Sequence, residues 1–161
     1  MDSDGCMVKN TTIEGYSLGS DGAWIQIAQN SYKELDKIQM KYSIDTAKED
    51  GDVISSSIDE YYNIEKLDKF IENYKNKKSN VGDMVRIISY TIDGGVIISD
   101  LIVNDNSIKL TVDNTRDQYA SEKDRKKIEY KVIDINKTNN EKNNFISYYV
   151  KTDQGEELCI L

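Results

Sequence analysis

Apolar residues recur at Ile64, Leu67, Phe70, Ile71 and Tyr74, three or four positions apart, so in a helix they share one face, and that face is buried. Asn63 precedes them as an N-cap, its side-chain oxygen placed to accept an N–H of the first turn. Glu65 near the start and Lys75, Lys77 and Lys78 near the end match the helix dipole, so the helix is expected to run from Asn63 to about Lys77. The period then changes to two. Met84 to Tyr90 and Val96 to Val103 are rich in Val and Ile, and Asp93-Gly94-Gly95 between them reads as a hairpin turn in which glycine accepts positive φ. Ile108, Leu110 and Val112 alternate with Lys109, Thr111 and Asp113, which predicts a half-buried strand after an Asn104-Asp105-Asn106 turn. Asn114 to Lys126 is a charged loop, and Ile128, Tyr130 and Val132 resume the alternation. A polar loop from Asn136 to Asn144 follows. Phe145 to Lys151 then pairs across Asp153-Gln154-Gly155 with Glu157 to Leu161.

Upstream, Thr12 to Leu18 reads as a short strand. Trp24, Ile27, Ala28, Ser31, Tyr32, Leu35 and Ile38 follow a helical stripe that favours a helix from about Gly22 to Met40, although Ala23 to Ala28 alone also reads as a strand. A short helix is expected with Asp45 as cap, Thr46 to Asp50 as body and Gly51 as stop, and Asp52 to Tyr61 is extended. Together these elements predict an α+β fold. Five or six antiparallel strands form a meander in sequence order, one long amphipathic helix packs on one face, and an N-terminal helical segment is added. At 161 residues one domain is expected, with 1–40 as an N-terminal extension packed on a core of 42–161.

Composition narrows the chemistry. Charged residues are 31% and hydrophobic ones 38%, a soluble globular balance, and a formal net charge of −8 argues against nucleic acid as a partner. The chain has no histidine, which removes the usual general base near neutral pH, the Ser-His and Cys-His pairs and most zinc sites. Any enzyme built from it would use carboxylates, Lys, Tyr or an oxygen-ligated metal. Aspartate-rich turns at Asp2 to Gly5, Asp105 to Ser107 and Asp113 to Asp117 lack the spacing of a calcium loop and read as ordinary turns, so neither a metal nor a cofactor is expected. Cys6 and Cys159 are too few and too far apart for a disulfide framework or a metal motif, and Cys159 reads as a small buried apolar residue. Met1 opens directly onto Asp2-Ser3-Asp4, without the basic and apolar segments of a signal peptide.

Eleven tyrosines supply the candidate contact residues. Tyr61-Tyr62 and Tyr148-Tyr149 each place one ring on either side of a strand, and tyrosines left exposed on a sheet are frequent binding residues. The second candidate is the loop Asp113, Asn114, Thr115, Arg116 and Asp117. Arg116 lies between two carboxylates there, and a structural ion pair weighs above ligand recognition.

Four ordered segments carry a resemblance: YSIDTAKEDGDV from Tyr42, NIEKLDKFIENYKNKK from Asn63, YTIDGGVIISDL from Tyr90 and VDNTRD from Val112. With Gly51-Asp52-Val53, Lys66 to Phe70, Tyr90-Thr91 and Asp113 to Thr115 as its marks, residues 42–161 resemble a family of uncharacterised domains in Gram-positive bacteria. Many of that family's members look like small secreted lipoproteins. Gly95 stands where the family usually has proline, and Ser3-Asp4-Gly5 is a poor lead for lipidation of Cys6. The resemblance implies location and fold and transfers no activity. The expected function is a non-catalytic extracytoplasmic module that binds a protein or small ligand at the sheet's open face or at the Asp113 to Asp117 loop, meeting membrane only through a lipid anchor on Cys6. The alternatives are a His-free carboxylate or metal-dependent enzyme and a cytoplasmic partner-binding protein.

Overall fold

The computed structural model describes residues 12–13, 16–18, 24–25, 32–56, 60–105, 107–140 and 145–161, and the chain divides into two units, 1–32 and 33–161. In the first unit β1 (Thr12–Ile13), β2 (Tyr16–Leu18) and β3 (Trp24–Ile25) form an antiparallel sheet in that order. The predicted helix from Gly22 to Met40 is therefore overturned at both ends. Trp24 pairs with Leu18 as a strand residue, and the only helical turn near the far end is a 3-10 turn at Leu35–Lys37. Residues 26–31 lie outside the described ones.

The second unit contains α1 (Ile44–Asp50), β4 (Val53–Ser55), β5 (Tyr61–Tyr62), α2 (Ile64–Lys75), β6 (Met84–Tyr90), β7 (Val96–Asn104), β8 (Ser107–Asp113), β9 (Lys127–Asn140), β10 (Phe145–Thr152) and β11 (Glu157–Cys159). Among the described residues these strands make one eight-stranded sheet, ordered β11-β10-β9-β8-β7-β6-β4-β5. β4 runs parallel to β6, and the other neighbours are antiparallel. The expected antiparallel meander of five or six strands under one long helix is thus corrected to a mixed sheet with two short helices. Parallel strands need a crossover of a dozen or more residues, and the segment carrying α2 is that crossover. The helix called a cover by its periodicity is a connection as well.

Local chemistry explains the helix ends. Ser43, rather than Asp45, caps α1 by accepting the N–H of Thr46, and Gly51 ends it in the left-handed region at φ 77°. Asn63 makes no side-chain cap to α2. It sits at φ 56° and its Nδ2 donates to the carbonyl of Asp52 at 2.7 Å, tying the helix start to β4.

Both faces of the sheet are buried. Val53, Val85, Ile87, Leu101, Val103 and Leu110 pack with Leu67 and Phe70 of α2 on the inner face. Ile54, Ile88, Val96 and Ile98 pack on the outer face with Ile38, Tyr42 and Ala47. Near-continuous apolar runs such as Val85 to Ile88 are the signature of a strand covered on both sides, here interrupted by one arginine.

The outer cover is a strap of residues 33–43, held by two arginines. Arg86 Nε and Nη2 donate to Asp100 Oδ1 and Oδ2 at 2.7 Å each, and its Nη1 donates to the carbonyl of Lys33 at 2.9 Å. Arg116 donates through Nη1 to Asp113 Oδ2, through Nη2 to the carbonyls of Leu35 and Ile38, and through Nε to that of Gln39. The carbonyls of Lys33 and Leu35, which a helix from Gly22 to Met40 would have used internally, are bonded to these guanidinium groups instead. Lys33 pairs with Asp50, Lys127 with Asp36, and Tyr90 donates to the carbonyl of Tyr42.

At the other end, β9 continues through residues expected to form a polar loop. Asn136 and Asn139 pair with Tyr149 and Ile146, and a register shift falls between Lys151 and Thr152. This ribbon closes on α2, where Asp68 accepts from Lys137 at 2.8 Å and from the Tyr148 hydroxyl at 2.7 Å.

Arg86→Met leaves the Asp100 carboxylate buried without its partner, and it should cost about 3–5 kcal/mol. Adding Asp100→Leu should restore most of that loss. Urea unfolding of the two variants checks both steps, and a double variant as unstable as the single one would contradict the assignment.

Candidate functional site

The loop singled out in the sequence is built around its own side chains. Asp113 is fully buried; its Oδ1 accepts the amide and hydroxyl of Thr115 while its Oδ2 accepts Arg116. Against burial, which raises it, bonds from Thr115 and then Arg116 hold the Asp113 carboxyl below the usual range. Asp117 Oδ1 accepts the amides of Tyr119 and Ala120, and it lies so close to Gly95 that a Cβ there would collide with it. Glycine at 95, where the resemblance implies proline, therefore lets the hairpin pass beneath this loop.

The tyrosine pairs alternate across the sheet as strand geometry requires. Tyr61 packs at the inner core and Tyr62 at the outer one, where its hydroxyl donates to Glu60 and Lys48 Nζ lies 3.7 Å from its ring centroid. Tyr148 is fully buried, and burial together with Asp68 pushes its phenol up to about 12 against the opposing effect of Lys137. Tyr149 is half-buried. Cys6 lies outside the described residues. The structure does not gather these candidates into one place.

An acidic cluster sits beside the strap, buried at Asp52 and partly exposed at Asp50. Tyr42 Oη lies 2.8 Å from Asp50 Oδ2 and 2.7 Å from Asp52 Oδ2. A phenol has one proton, so the Tyr42 hydroxyl donates to one of these carboxylates at a time, and both contacts are hydrogen bonds together only when one of the two carboxyl groups is protonated. Asp52 is fully buried and its Oδ1 has no partner among the described residues. Burial raises its carboxyl to about 6, with the charges of Asp50 and Asp100 adding to it and the Tyr42 bond and Arg86 opposing. Asp52 thus binds a proton more readily than a free carboxylate does, while the Asp50 carboxylate at the cluster's edge is partly exposed.

Open space lies on the inner face, beyond α2. A groove of about 450 Å³ is floored by Ser89, Ile97, Val112 and Ile128 and bounded by Leu158 to Leu161. Ser55 of β4 lines it too, although five strands separate β4 from β11 in the sheet order. The sheet therefore coils until its two ends face a common space, like the mouth of a barrel. Ser55 stands beside Ser89 in the parallel register, so two hydroxyls from neighbouring strands share the inner face. Asn114 also lines the groove, and its Oδ1 is buried without a partner among the described residues. Cys159 is exposed rather than buried as expected, because the alternation of edge strand β11 turns Leu158 inward and its neighbours out.

Among the described residues of the two candidate contact sets, Asn114 lines this groove, while Arg116 lines a separate cleft of about 370 Å³ with Met40, Tyr90 and Tyr119. Ser89, Ile97 and Leu158 carried no sequence signal, since a serine in a strand is unremarkable until its neighbours across the sheet are known. Among the described residues no group of three or more Cys, Asp or Glu side chains is placed to hold a metal. No helix is long and apolar enough to cross a membrane among the described residues.

The family model described as a domain of unknown function, DUF4362, matches residues 48–145. No curated protein and no solved structure matches the chain.

Asp52 ionises near 3.8 in an unfolded chain and near 6 in the folded one. The native state therefore binds this proton more tightly, and the stability it contributes, complete below pH 4, is lost as pH rises through 6. Asp52→Asn should gain about 2–3 kcal/mol relative to the parent between pH 4 and pH 7, read from urea midpoints. A difference that does not change with pH would contradict the shared-proton assignment.

Proposed function

The chain belongs to the DUF4362 family of domains of unknown function, and we propose that it is a non-catalytic binding module whose binding surface is the inner groove. The observation that carries this reading is a groove of about 450 Å³, within the range of small-molecule sites, at the mouth of a coiled sheet, where such sites recur. Its lining mixes apolar floor residues with a few hydroxyl and amide groups, the usual division between a contact that holds a ligand and one that orients it. The lining side chains among the described residues are uncharged. We place the module outside the cytoplasm, a reading supported by the resemblance of residues 42–161 to secreted and lipid-anchored members of an uncharacterised family.

Two measurements test these readings. A small-fragment screen by two-dimensional NMR should give hits that shift the amides of Ser89, Ile97, Val112 and Leu158 and that disappear in Ile97→Trp. Hits confined to the Met40–Tyr119 cleft, or none, would contradict the groove. Fractionation of the source cells should recover the protein from membrane or medium, and recovery from the cytosol would overturn the envelope reading.

A further inference from the structure

We infer that Tyr42 is a proton-controlled latch on the outer face, shut while the acidic cluster beside it carries a proton and loosened when that proton leaves. The strap is held by two kinds of chemistry. Residues 33–39 are tied through their carbonyls to Arg86 and Arg116, which stay charged at any ordinary pH. Tyr42 is tied through its hydroxyl, 2.8 Å from Asp50 Oδ2 and 2.7 Å from Asp52 Oδ2, and its carbonyl accepts from Tyr90. One phenolic proton cannot serve two carboxylates, so this fastening is complete only with a second proton. Asp52 is the group placed to carry it, being fully buried, whereas the Asp50 side chain is 29% exposed and paired with Lys33 at 2.9 Å.

The charges around Asp52 leave its ionised form poorly served. Asp50 of α1 and Asp100 of β7 disfavour it, Arg86 of β6 favours it but is already paired with Asp100, and Lys66 of α2 is turned to the carbonyl of Gly51. Tyr90 of β6 also feels Asp52, together with Asp45 of α1. Burial holds the Asp52 carboxyl at about 6 against an ordinary 3.8, so the closed latch binds the proton and loosens as pH rises through 6. Once Asp52 ionises, one of the two contacts becomes an approach of oxygens with no hydrogen between them. Tyr42 is the partner with room to move. Gln39 before it is bonded to Arg116, and Ser43 after it caps α1, which leaves Met40, Lys41 and Tyr42 as a short span between two fixed points. These three residues line the cleft of about 370 Å³, and Met40 is 55% exposed. Release of the Tyr42 ring uncovers the outer apolar cluster that includes Val96 and Ile98.

Spin labelling tests the latch. With Cys6→Ser and Cys159→Ser in place, a nitroxide is attached through Met40→Cys beside the latch and, in a second protein, through Lys37→Cys in the arginine-bound stretch. Between pH 5 and pH 7 the ratio of mobile to immobile spectral component at position 40 should rise about tenfold, while the spectrum at position 37 stays the same. An asparagine amide can donate to Tyr42 as the protonated carboxyl does, so in Asp52→Asn the label at position 40 should keep its pH 5 spectrum throughout, with circular dichroism confirming the fold. A carbon-13 titration of the carboxyl groups of the parent protein should find Asp52 near 6. A constant ratio at position 40, an equal change at position 37, or a rise that persists in Asp52→Asn would overturn the latch. An Asp52 carboxyl that titrates at its ordinary 3.8 would overturn it without recourse to any variant.

Discussion

Guanidinium groups cannot be left unpaired inside a protein, and Arg86 and Arg116 are nearly completely buried on the outer face of this sheet. Each is neutralised by an aspartate from a sheet strand, and each donates further to carbonyls of residues 33–39, Arg86 to that of Lys33 and Arg116 to those of Leu35, Ile38 and Gln39. That requirement draws the strap onto the outer face and holds it in an irregular path. Ile38 and Tyr42 then bury the outer apolar side chains that would otherwise face water. The raised affinity of Asp52 for a proton goes with the same closure, because Asp52 and Tyr42 are buried there and Tyr42 links Asp52 to the partly exposed Asp50.

With the outer face closed, the inner face carries the open ground. α2 fills one end of it through Leu67 and Phe70, and the ribbon of β9 and β10 is fastened to α2 by Asp68, Lys137 and Tyr148. Coiling brings Leu158 to Leu161 over the same face as Ser55 and Ser89. The space between is what the helix does not reach. Its uncharged lining follows from its origin, since the groove is core surface of the same sheet with serines where larger side chains would have filled it.

Local elements were legible in the sequence. α2 and the hairpin of β6 and β7 appear close to where periodicity and the Asp-Gly-Gly turn put them, because neighbouring residues determine both. Long-range pairing was not. Three residues of β4 give no sign that their neighbour is β6, thirty residues on and parallel, so a meander was the simplest reading and an incorrect one. The helical stripe of Leu35 and Ile38 is real as a burial pattern, but the backbone makes only a 3-10 turn there and turns the Leu35 carbonyl to Arg116. Asn136 to Asn140 looked like a loop because its side chains are polar, while its backbone pairs with β10. At the site, Asp113 and Arg116 were visible as a pair, and Asn114 was visible only as their neighbour. Its place in the groove depends on Leu158 to Leu161 arriving from the far end of the chain.

Methyl NOEs between a fragment hit from the NMR screen and the protein give the most direct measurement. Cross-peaks from one bound probe to both Ile97, in the middle of the sheet, and Ile160, beyond its last strand, are the expected result, since only a coiled sheet with a ligand between its ends produces them. Cross-peaks to Met40 without either isoleucine would place the ligand in the other cleft and contradict the groove as the functional site.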